Sequence, residues 1–291
     1  MAVTIENEYL KAVIAEKGAE LTSLKKKDNG IEYIWQADPA YWQRHAPVLF
    51  PIVGKLKDDR YFYQGKEYHL SQHGFARDSL FSLVEFNQTK ASFRLTSSLE
   101  HQEVYPFDFE LIVIYELVDQ EIRVNYQVNN LASDDLYFSI GGHPAFNVPL
   151  EENLTFEDYF LVLSPAKSRI RLPLKEGLID LEHRTLGQTN TNLALTHDLF
   201  KDDAMIFATK AANSFTICSE KSSHLVEVSF KDLPYVGIWS TYPTESPFVC
   251  IEPWAGIADT VSASGNLEEN LGIEKLAEKE SFTCGYTIAV K

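Results

Sequence analysis

Apolar and polar residues alternate along much of this chain, which is the period of a half-buried β-strand. Within Glu121–Val128 every second side chain is apolar, so these side chains share one face. Phe109–Val118 has the same character, and Asp119-Gln120 leaves room only for a tight connection between the two. We therefore predict an antiparallel hairpin made of these segments.

Other segments extend this pattern, and helical periodicity is scarce. Asp28-Asn29-Gly30 predicts a type I′ hairpin ahead of Ile31–Trp35. Helical turns are expected only at Pro39–Arg44 and Asn266–Lys275. Further strands are predicted at Ser92–Thr96, Phe215–Cys218, Leu225–Phe230 and Val236–Trp239. Many short strands without intervening helices predict an all-β fold, a large antiparallel β-sandwich formed by residues 1–291 as a single domain.

Composition and charge narrow the partners that this fold would bind. The net charge of −16 argues against nucleic acid and acidic membrane surfaces as partners. No stretch has the length of a membrane-spanning helix, and the N-terminus lacks the features of a signal peptide. Three widely spaced cysteines form neither a disulfide framework nor a metal motif. We expect a cytoplasmic protein, with a homodimer through paired edge strands as one arrangement that the pattern allows.

His143 is the first candidate for chemistry. It lies in Gly141-Gly142-His143-Pro144, directly after the strand-like run Leu136–Ile140. The glycines permit close backbone approach, and the proline restricts the backbone that follows. A histidine held rigidly at a strand end is suited to proton transfer near neutral pH.

Glu252 is the second candidate, in the apolar run Phe248–Pro253, where the proline is expected to end the strand. Alternation places it on one face with Phe248 and Cys250. Its apolar neighbours, with Trp254 close by, predict partial desolvation, which raises the pKa of a carboxyl group. His143 and Glu252 thus form a candidate acid/base pair.

Weaker candidates surround this pair. Gln72, His73 and Arg77 lie in one polar segment broken by glycine, where a plain turn is an equally good interpretation. Asp203 precedes a strand-like run, and Lys55 follows an apolar strand that ends in glycine. Aromatic side chains that could contact a ligand, or belong to the core, are Phe146, Trp239 and Trp254.

Several chemistries are disfavoured by the absence of their motifs. The chain has no phosphate-binding glycine loop and no Gly-x-Ser-x-Gly elbow. Its histidines lack metal-ligand spacing, so a metal site would have to be built from distant residues such as His73, His143 and Glu252. We expect no cofactor and no metal.

Four segments of this chain resemble the aldose 1-epimerases (galactose mutarotases), in particular their LacX-type branch. Gly141–Asn147 and Ile251–Gly256 are similar to the family's two site motifs. Lys17–Leu24 resembles its opening strand, and Tyr61–Leu70 resembles the hairpin before its first histidine. The shared order of these motifs extends the resemblance over nearly the whole chain.

The resemblance implies a large β-sandwich with an active site on a concave sheet face, and cofactor-free interconversion of the α and β anomers of a free hexose. It implies that Glu252 is the base and His143 the acid that protonates the ring oxygen. His73 would bind the sugar near its ring oxygen, and Asp203 would bind its hydroxyl groups. Lys55 stands where well-studied members have an arginine. The ammonium group of lysine is a point charge, whereas the guanidinium group of arginine is planar and offers several donors, so the sugar preference can differ.

Three other functions stay open at this point. A hexose-6-phosphate 1-epimerase would need a cationic cluster near the phosphate. A non-catalytic carbohydrate-binding protein would use the same concave face, and a glycosidase would need two carboxylates, for which Glu252 and Asp203 are the available pair. The residues that could supply the cationic cluster are Lys55, Lys57, Arg60 and Arg77.

Overall fold

The computed structural model describes residues 1–291, and β-strands account for most of its regular structure. The strands are β1 (Ala2–Glu6), β2 (Leu10–Ala15), β3 (Leu21–Lys26), β4 (Val48–Leu49), β5 (Arg60–Tyr63), β6 (Lys66–His69), β7 (Ser82–Phe86), β8 (Lys90–Thr96), β9 (Phe109–Val118), β10 (Glu121–Asn130), β11 (Leu136–Phe138), β12 (Ile140–Gly142), β13 (Ala145–Asn147), β14 (Phe160–Ser164), β15 (Arg169–Leu172), β16 (Leu174–Lys175), β17 (Leu178–Ile179), β18 (Thr185–Gly187), β19 (Leu193–Ala194), β20 (Met205–Ala208), β21 (Asn213–Cys218), β22 (Val226–Phe230), β23 (Tyr235–Trp239), β24 (Phe248–Ala255), β25 (Glu274–Leu276) and β26 (Ser281–Val290).

Helical structure is limited to one α-helix and short 3₁₀ turns. The α-helix, α1, spans Leu99–Val104 and begins at Ser98, whose side chain accepts a hydrogen bond from the backbone of His101. The 3₁₀ turns are Lys57–Asp59, Ala76–Asp78, Phe156–Asp158, Leu181–His183, His197–Phe200 and Leu267–Glu269. None of these helices has the length and apolar character needed to cross a bilayer.

Two large antiparallel sheets form the body of the molecule. One has nine strands in the order β19-β14-β21-β22-β26-β10-β9-β8-β7. The other runs β18-β15-β20-β23-β24-β12-β4, with β13 also paired to β24. Small sheets add β1-β2-β3, β5-β6, β11-β25 and β16-β17. The predicted all-β sandwich is confirmed.

Alternation along the strands builds the core. In β9 and β10 every second side chain is buried, and the apolar ones among them belong to a cluster of 66 residues. Val249 and Ile251 of β24 join this same cluster, so both large sheets contribute to one core. Phe248 and Cys250, on the opposite face of β24, belong instead to a small aromatic cluster with Trp35. Strand β24 is therefore buried on both faces.

Most predicted strands are present, and the exceptions have local causes. The hairpin of β9 and β10 closes with Val118 opposite Glu121, as predicted. The loop at Gly30 is not a type I′ turn, because Gly30 alone of its three residues has a positive φ and the Asn29 side chain accepts a hydrogen bond from Ile31 N–H. The predicted helical turns are reduced to one turn at Asp38–Trp42 and the 3₁₀ turn Leu267–Glu269.

The expectation that Pro253 ends its strand was wrong. Strand β24 continues to Ala255, with Pro253 paired to Val236 of β23. On its other side β24 pairs with two separate strands, through Ala145 of β13 and Gly141 of β12. Pro253 lies beside the interruption between β12 and β13. No strand pairs with β24 on that side at this point, so a residue without a backbone N–H is accommodated there.

The two glycines that precede His143 are explained by large side chains packed against them. A Cβ atom on Gly141 would lie 2.4 Å from Cδ1 of Trp254, and one on Gly142 would lie 2.5 Å from the hydroxyl of Tyr286. Both distances are too short for any side chain. The glycines therefore let β12 approach the indole and the phenol directly.

We predict that Gly141→Ala lowers the free energy of unfolding by about 3 kcal/mol, because the added methyl group overpacks a buried site beside Trp254. Urea denaturation measures this change. Gly30→Ala is the control, since no atom lies within 4 Å of its Cβ position and only the cost of left-handed backbone, about 1 kcal/mol, is expected. Equal losses in the two variants would contradict the packing explanation.

Candidate active site

His143 occupies the interruption between β12 and β13, directly opposite Glu252. Its backbone N–H donates to Pro47 O at 3.0 Å, and Ile251 N–H donates to Pro144 O at 3.2 Å across the gap. These bonds hold the segment against both neighbouring strands. The imidazole Nε2 lies 3.1 Å from Oε2 of Glu252.

Glu252 projects from the middle of β24, opposite Gly237 of β23. Its side chain is only 2% exposed, as alternation along the strand and its apolar neighbours predicted. Burial raises the pKa of Glu252 well above its usual value, and the negative charge of Asp203 acts in the same direction. The carboxyl group therefore holds a proton more strongly than an exposed glutamate does.

Burial has the opposite effect on His143. It lowers the pKa of the imidazole to about 3, and the positive charges of Arg77 and Arg44 contribute further. Both pKa shifts favour the uncharged form of the side chain, the protonated carboxyl group of Glu252 and the neutral imidazole of His143. Together the two groups favour one shared proton, which leaves the pair neutral overall.

The pair lines a cavity of about 330 Å³, within the range of roughly 300 to 1,000 Å³ that is typical of small-molecule sites. The structure brings most of the predicted site residues into its wall. These are Gln72, His73, Arg77, His143, Asp203, Trp239, Glu252 and Trp254.

His73 presents a hydrogen-bond donor in this wall. Its Nδ1 accepts a hydrogen bond from Gly54 N–H at 3.1 Å, so the proton of the neutral ring resides on Nε2. Burial lowers the pKa of His73 well below its usual value, with a further contribution from His143. His73 is therefore a neutral Nε2–H donor held by its neighbours.

Gln72 and Arg77 are linked through the backbone. A terminal nitrogen of Arg77 donates to Gln72 O at 2.6 Å, whereas its buried Nε has no hydrogen-bond partner. Burial lowers the pKa of Arg77, and the nearby charge of Arg44 adds to this. Trp254 Nε1 is also buried without a partner.

The structure distinguishes Asp203 from its neighbour Asp202. Asp203 lines the cavity of the acid/base pair, and Asp202 lines an adjacent cavity together with Arg171. Asp203 has a φ of 73°, and its Oδ1 accepts a hydrogen bond from Ala204 N–H. Asp203 is therefore the one of the two carboxylates that lines the cavity of the pair.

Lys55 is not part of the cavity wall. Its stem lies alongside Gly177, where a Cβ would be 3.4 Å from Lys55 Cδ, and Gly177 itself lines the cavity. The other proposed phosphate ligands also lie elsewhere: Lys57 donates to Ala263 O, and Arg60 pairs with Glu67 at 3.1 Å. Only Arg77 of the four cations reaches the cavity wall.

Trp42 is a cavity residue that the sequence reasoning missed. Its ring stacks on the imidazole of His143, with a centroid distance of 4.9 Å and an interplanar angle of 29°. Trp42 lies in the turn Asp38–Arg44, in which most residues are exposed. A tryptophan in such a turn was the one feature of the sequence that could have indicated a binding role. The predicted Phe146 is fully buried in the core.

His143, Cys250 and Glu252 are the residues that could hold a metal ion, since their ligand atoms lie within 4.8 Å of one another. The surroundings fit a metal poorly. Burial raises the pKa of the Cys250 thiol well above its usual value, and Nδ1 of His143 is buried without the acceptor that normally orients a metal-bound histidine. The direct contact of His143 with Glu252 suits proton sharing instead.

Comparisons with known proteins agree on one family. The family model described as Aldose 1-epimerase matches residues 1–268. The plasmid-encoded protein LacX of Lactococcus lactis subsp. lactis is 36% identical over 300 residues, an alignment that covers 100% of this chain and 99% of that protein.

Solved structures with the same fold include two from lactobacilli. A galactose mutarotase related enzyme from Lactobacillus acidophilus is 42% identical with a TM-score of 0.99, covering 100% of this chain and 97% of that chain. A galactose mutarotase-like protein from Lactobacillus casei is 34% identical with a TM-score of 0.90, and the match covers both chains completely.

We predict that the imidazole NMR signals of His143 do not shift between pH 8 and pH 5. A lowered pKa means that the ring stays neutral as the pH falls through about 6.5, where an unperturbed histidine gains its proton. Histidine-selective ¹⁵N labelling measures this, and the spectrum of His143→Asn assigns the signal. A titration midpoint near pH 6.5 would contradict the desolvated pair.

Proposed function

The chain belongs to the aldose 1-epimerase family, and on this premise we propose that it interconverts the α and β anomers of a neutral hexose by acid/base ring opening in the cavity of His143 and Glu252. The contact of 3.1 Å between His143 Nε2 and Glu252 Oε2, at the wall of a sugar-sized cavity, is the observation that carries the proposal. Anomer exchange needs one proton removed and one delivered, which these two groups can do together.

The cavity wall supports binding of a neutral sugar. The indoles of Trp239 and Trp254 offer apolar surface for the faces of the ring. The Nε2–H of His73 and the carboxylate of Asp203 offer a donor and an acceptor for its polar edge. A hexose presents both kinds of surface.

Ring opening moves two protons and breaks one bond, the bond between C1 and the ring oxygen. Glu252, as carboxylate, takes the proton from the anomeric hydroxyl, and a lone pair of O1 forms the C1=O1 carbonyl. The bond from C1 to the ring oxygen breaks, its electrons remain on that oxygen, and the oxygen takes the proton from Nε2 of His143. The pair carries one proton before this step and one proton after it, on Glu252 instead of His143.

Ring closure reverses these transfers on the other face of the carbonyl. Rotation about C1–C2 turns that face toward the C5 hydroxyl. His143 takes the hydroxyl proton as the oxygen attacks C1, and Glu252 returns its proton to O1. The product is the opposite anomer, and the catalytic pair is restored without any cofactor in the scheme.

The position of the cations favours a neutral hexose over a hexose 6-phosphate. Cationic side chains bind phosphate through strong charge-assisted hydrogen bonds, and only Arg77 of the four candidates lies at the cavity wall.

The proposal extends to the whole chain as one domain, residues 1–291. Buried residues of the first strand, such as Ile5, and of the last, such as Val290, belong to the same core cluster. All three cysteines are free, which fits a reducing compartment such as the cytoplasm.

We predict that Glu252→Gln and His143→Asn each reduce kcat for anomer exchange by about 10²- to 10⁴-fold, the usual contribution of a general acid or base. Polarimetry and NMR saturation transfer with glucose and galactose measure the rate. Glucose 6-phosphate is the comparison substrate, and a preference for it would contradict the neutral-hexose assignment. Full activity in both variants would overturn the acid/base roles, and sugar binding without acceleration by the wild type would indicate a carbohydrate-binding protein.

Asp202 and Asp203 offer a matched pair for the binding site. We predict that Asp203→Asn raises KM for the hexose about tenfold, because a charged acceptor for a sugar hydroxyl is replaced by a neutral one, worth about 1.5 kcal/mol. Asp202→Asn is expected to leave KM unchanged, since that carboxylate faces the adjacent cavity. Equal effects of the two substitutions in steady-state kinetics would contradict the placement of Asp203.

A further inference from the structure

We propose that Trp42 is a positioning residue for His143, whose ring face holds the imidazole toward Glu252 and stabilises its protonated form. The inference rests on the proposed function, and it assigns a role to a side chain of the turn Asp38–Arg44. Three observations carry it: the stack itself, the absence of a hydrogen bond from any other residue to Nδ1 of His143, and the charges around the ring.

The stack is close and well supported. The rings of Trp42 and His143 lie 4.9 Å apart at 29°, so the face of the indole covers the face of the imidazole. Phe248 stacks on Trp42 at 5.7 Å and 30°. The backbone of Trp42 is held from both sides, since its N–H donates to Asp38 O at 3.1 Å and its carbonyl accepts from Trp35 Nε1 at 2.9 Å.

A histidine that transfers protons is usually oriented by a hydrogen bond at its second ring nitrogen. In this protein Nδ1 of His143 is buried and no other residue hydrogen-bonds to it; only the backbone of His143 itself acts on the ring. Packing and the contact with Glu252 are therefore the contacts with other residues that orient the ring. Trp42 supplies a parallel aromatic contact, whereas Trp239 and His73 meet the ring at 82° and 87°.

The charges and the burial around His143 destabilise its protonated form. Burial disfavours an imidazolium most strongly, and Arg77 and Arg44 act in the same direction, whereas the backbone of His143 favours it; His73 beside it is neutral. Cys250 is protonated, because burial raises its pKa well above the usual value. Glu252 is the one carboxylate in contact with the ring. The negative face of an indole is attracted to a stacked cation, so Trp42 lowers the free energy of the state in which His143 carries the shared proton.

This state begins each ring opening, and its stabilisation acts on the rate rather than on sugar binding. We expect Trp42→Leu to lower kcat by about 3- to 30-fold, the range of a partly desolvated cation–π contact, with KM changed less than twofold. Trp42→Phe keeps an aromatic face and is expected to retain most of kcat. Tyr41→Leu is the matched control on the same turn, because Tyr41 packs against Trp35 and not against His143.

The experiment measures kcat, KM and the solvent deuterium isotope effect on kcat for glucose anomer exchange in these four proteins. The isotope effect is expected to increase in Trp42→Leu, as proton delivery becomes more limiting, and to stay at the wild-type value in Tyr41→Leu. If Trp42→Leu does not fold, the same measurements on Trp42→Phe test the inference. A smaller fall in kcat, in the same direction, is then expected.

An active wild type with unchanged kcat in the Trp42 variants would overturn this inference alone. A rise in KM with unchanged kcat would do the same, since it would mean that Trp42 only contacts the sugar. A wild type that does not accelerate anomer exchange would overturn the proposed function, and this inference with it.

Discussion

The site depends on one close contact, 3.1 Å between Nε2 of His143 and Oε2 of Glu252, whose side chains are only 9% and 2% exposed. An isolated charge in such a place is costly, and a pair of groups that shares a single proton avoids that cost while keeping the proton available. Each group alone would stay neutral, Glu252 because burial raises its pKa and His143 because burial lowers its pKa. Side by side they can pass the proton between them or exchange it with a substrate.

The fold provides this contact through an interruption in a sheet. Strand β24 is continuous and buried on both faces, whereas its neighbour is divided into β12 and β13. His143 lies in the break, level with Glu252. Gly141 fits against Trp254, so the broken strand approaches closely enough for His143 to contact Glu252. The two-sheet core behind β24 holds the carboxylate in place, and the aromatic rings in front of it hold the imidazole.

The alternation of residues predicted the all-β fold, and the local contexts of His143 and Glu252 predicted the acid/base pair. The two residues are 109 positions apart, and their similar strand-end contexts, together with the resemblance of two motifs to a known family, were what placed them together. Pro253 was misinterpreted because a proline can lie inside a strand where the neighbouring strand is interrupted. The local sequence does not show such an interruption. Trp42 was missed for a similar reason: its turn is polar and exposed, and its contact with His143 exists only in the folded chain. The position of Lys55 outside the cavity wall was equally invisible, because a residue after a strand can point to either side of a sheet.

The most direct test of the account follows the oxygen at C1. A hexose labelled with ¹⁸O at the anomeric hydroxyl is incubated with the enzyme in ordinary water, and NMR isotope shifts report both the anomer and its label over the first turnovers. Ring opening by His143 and Glu252 never breaks the C1–O1 bond, so the account predicts rapid exchange of the α and β anomers with the label retained. Loss of the label at each interconversion, or no acceleration over the buffer rate, would contradict it.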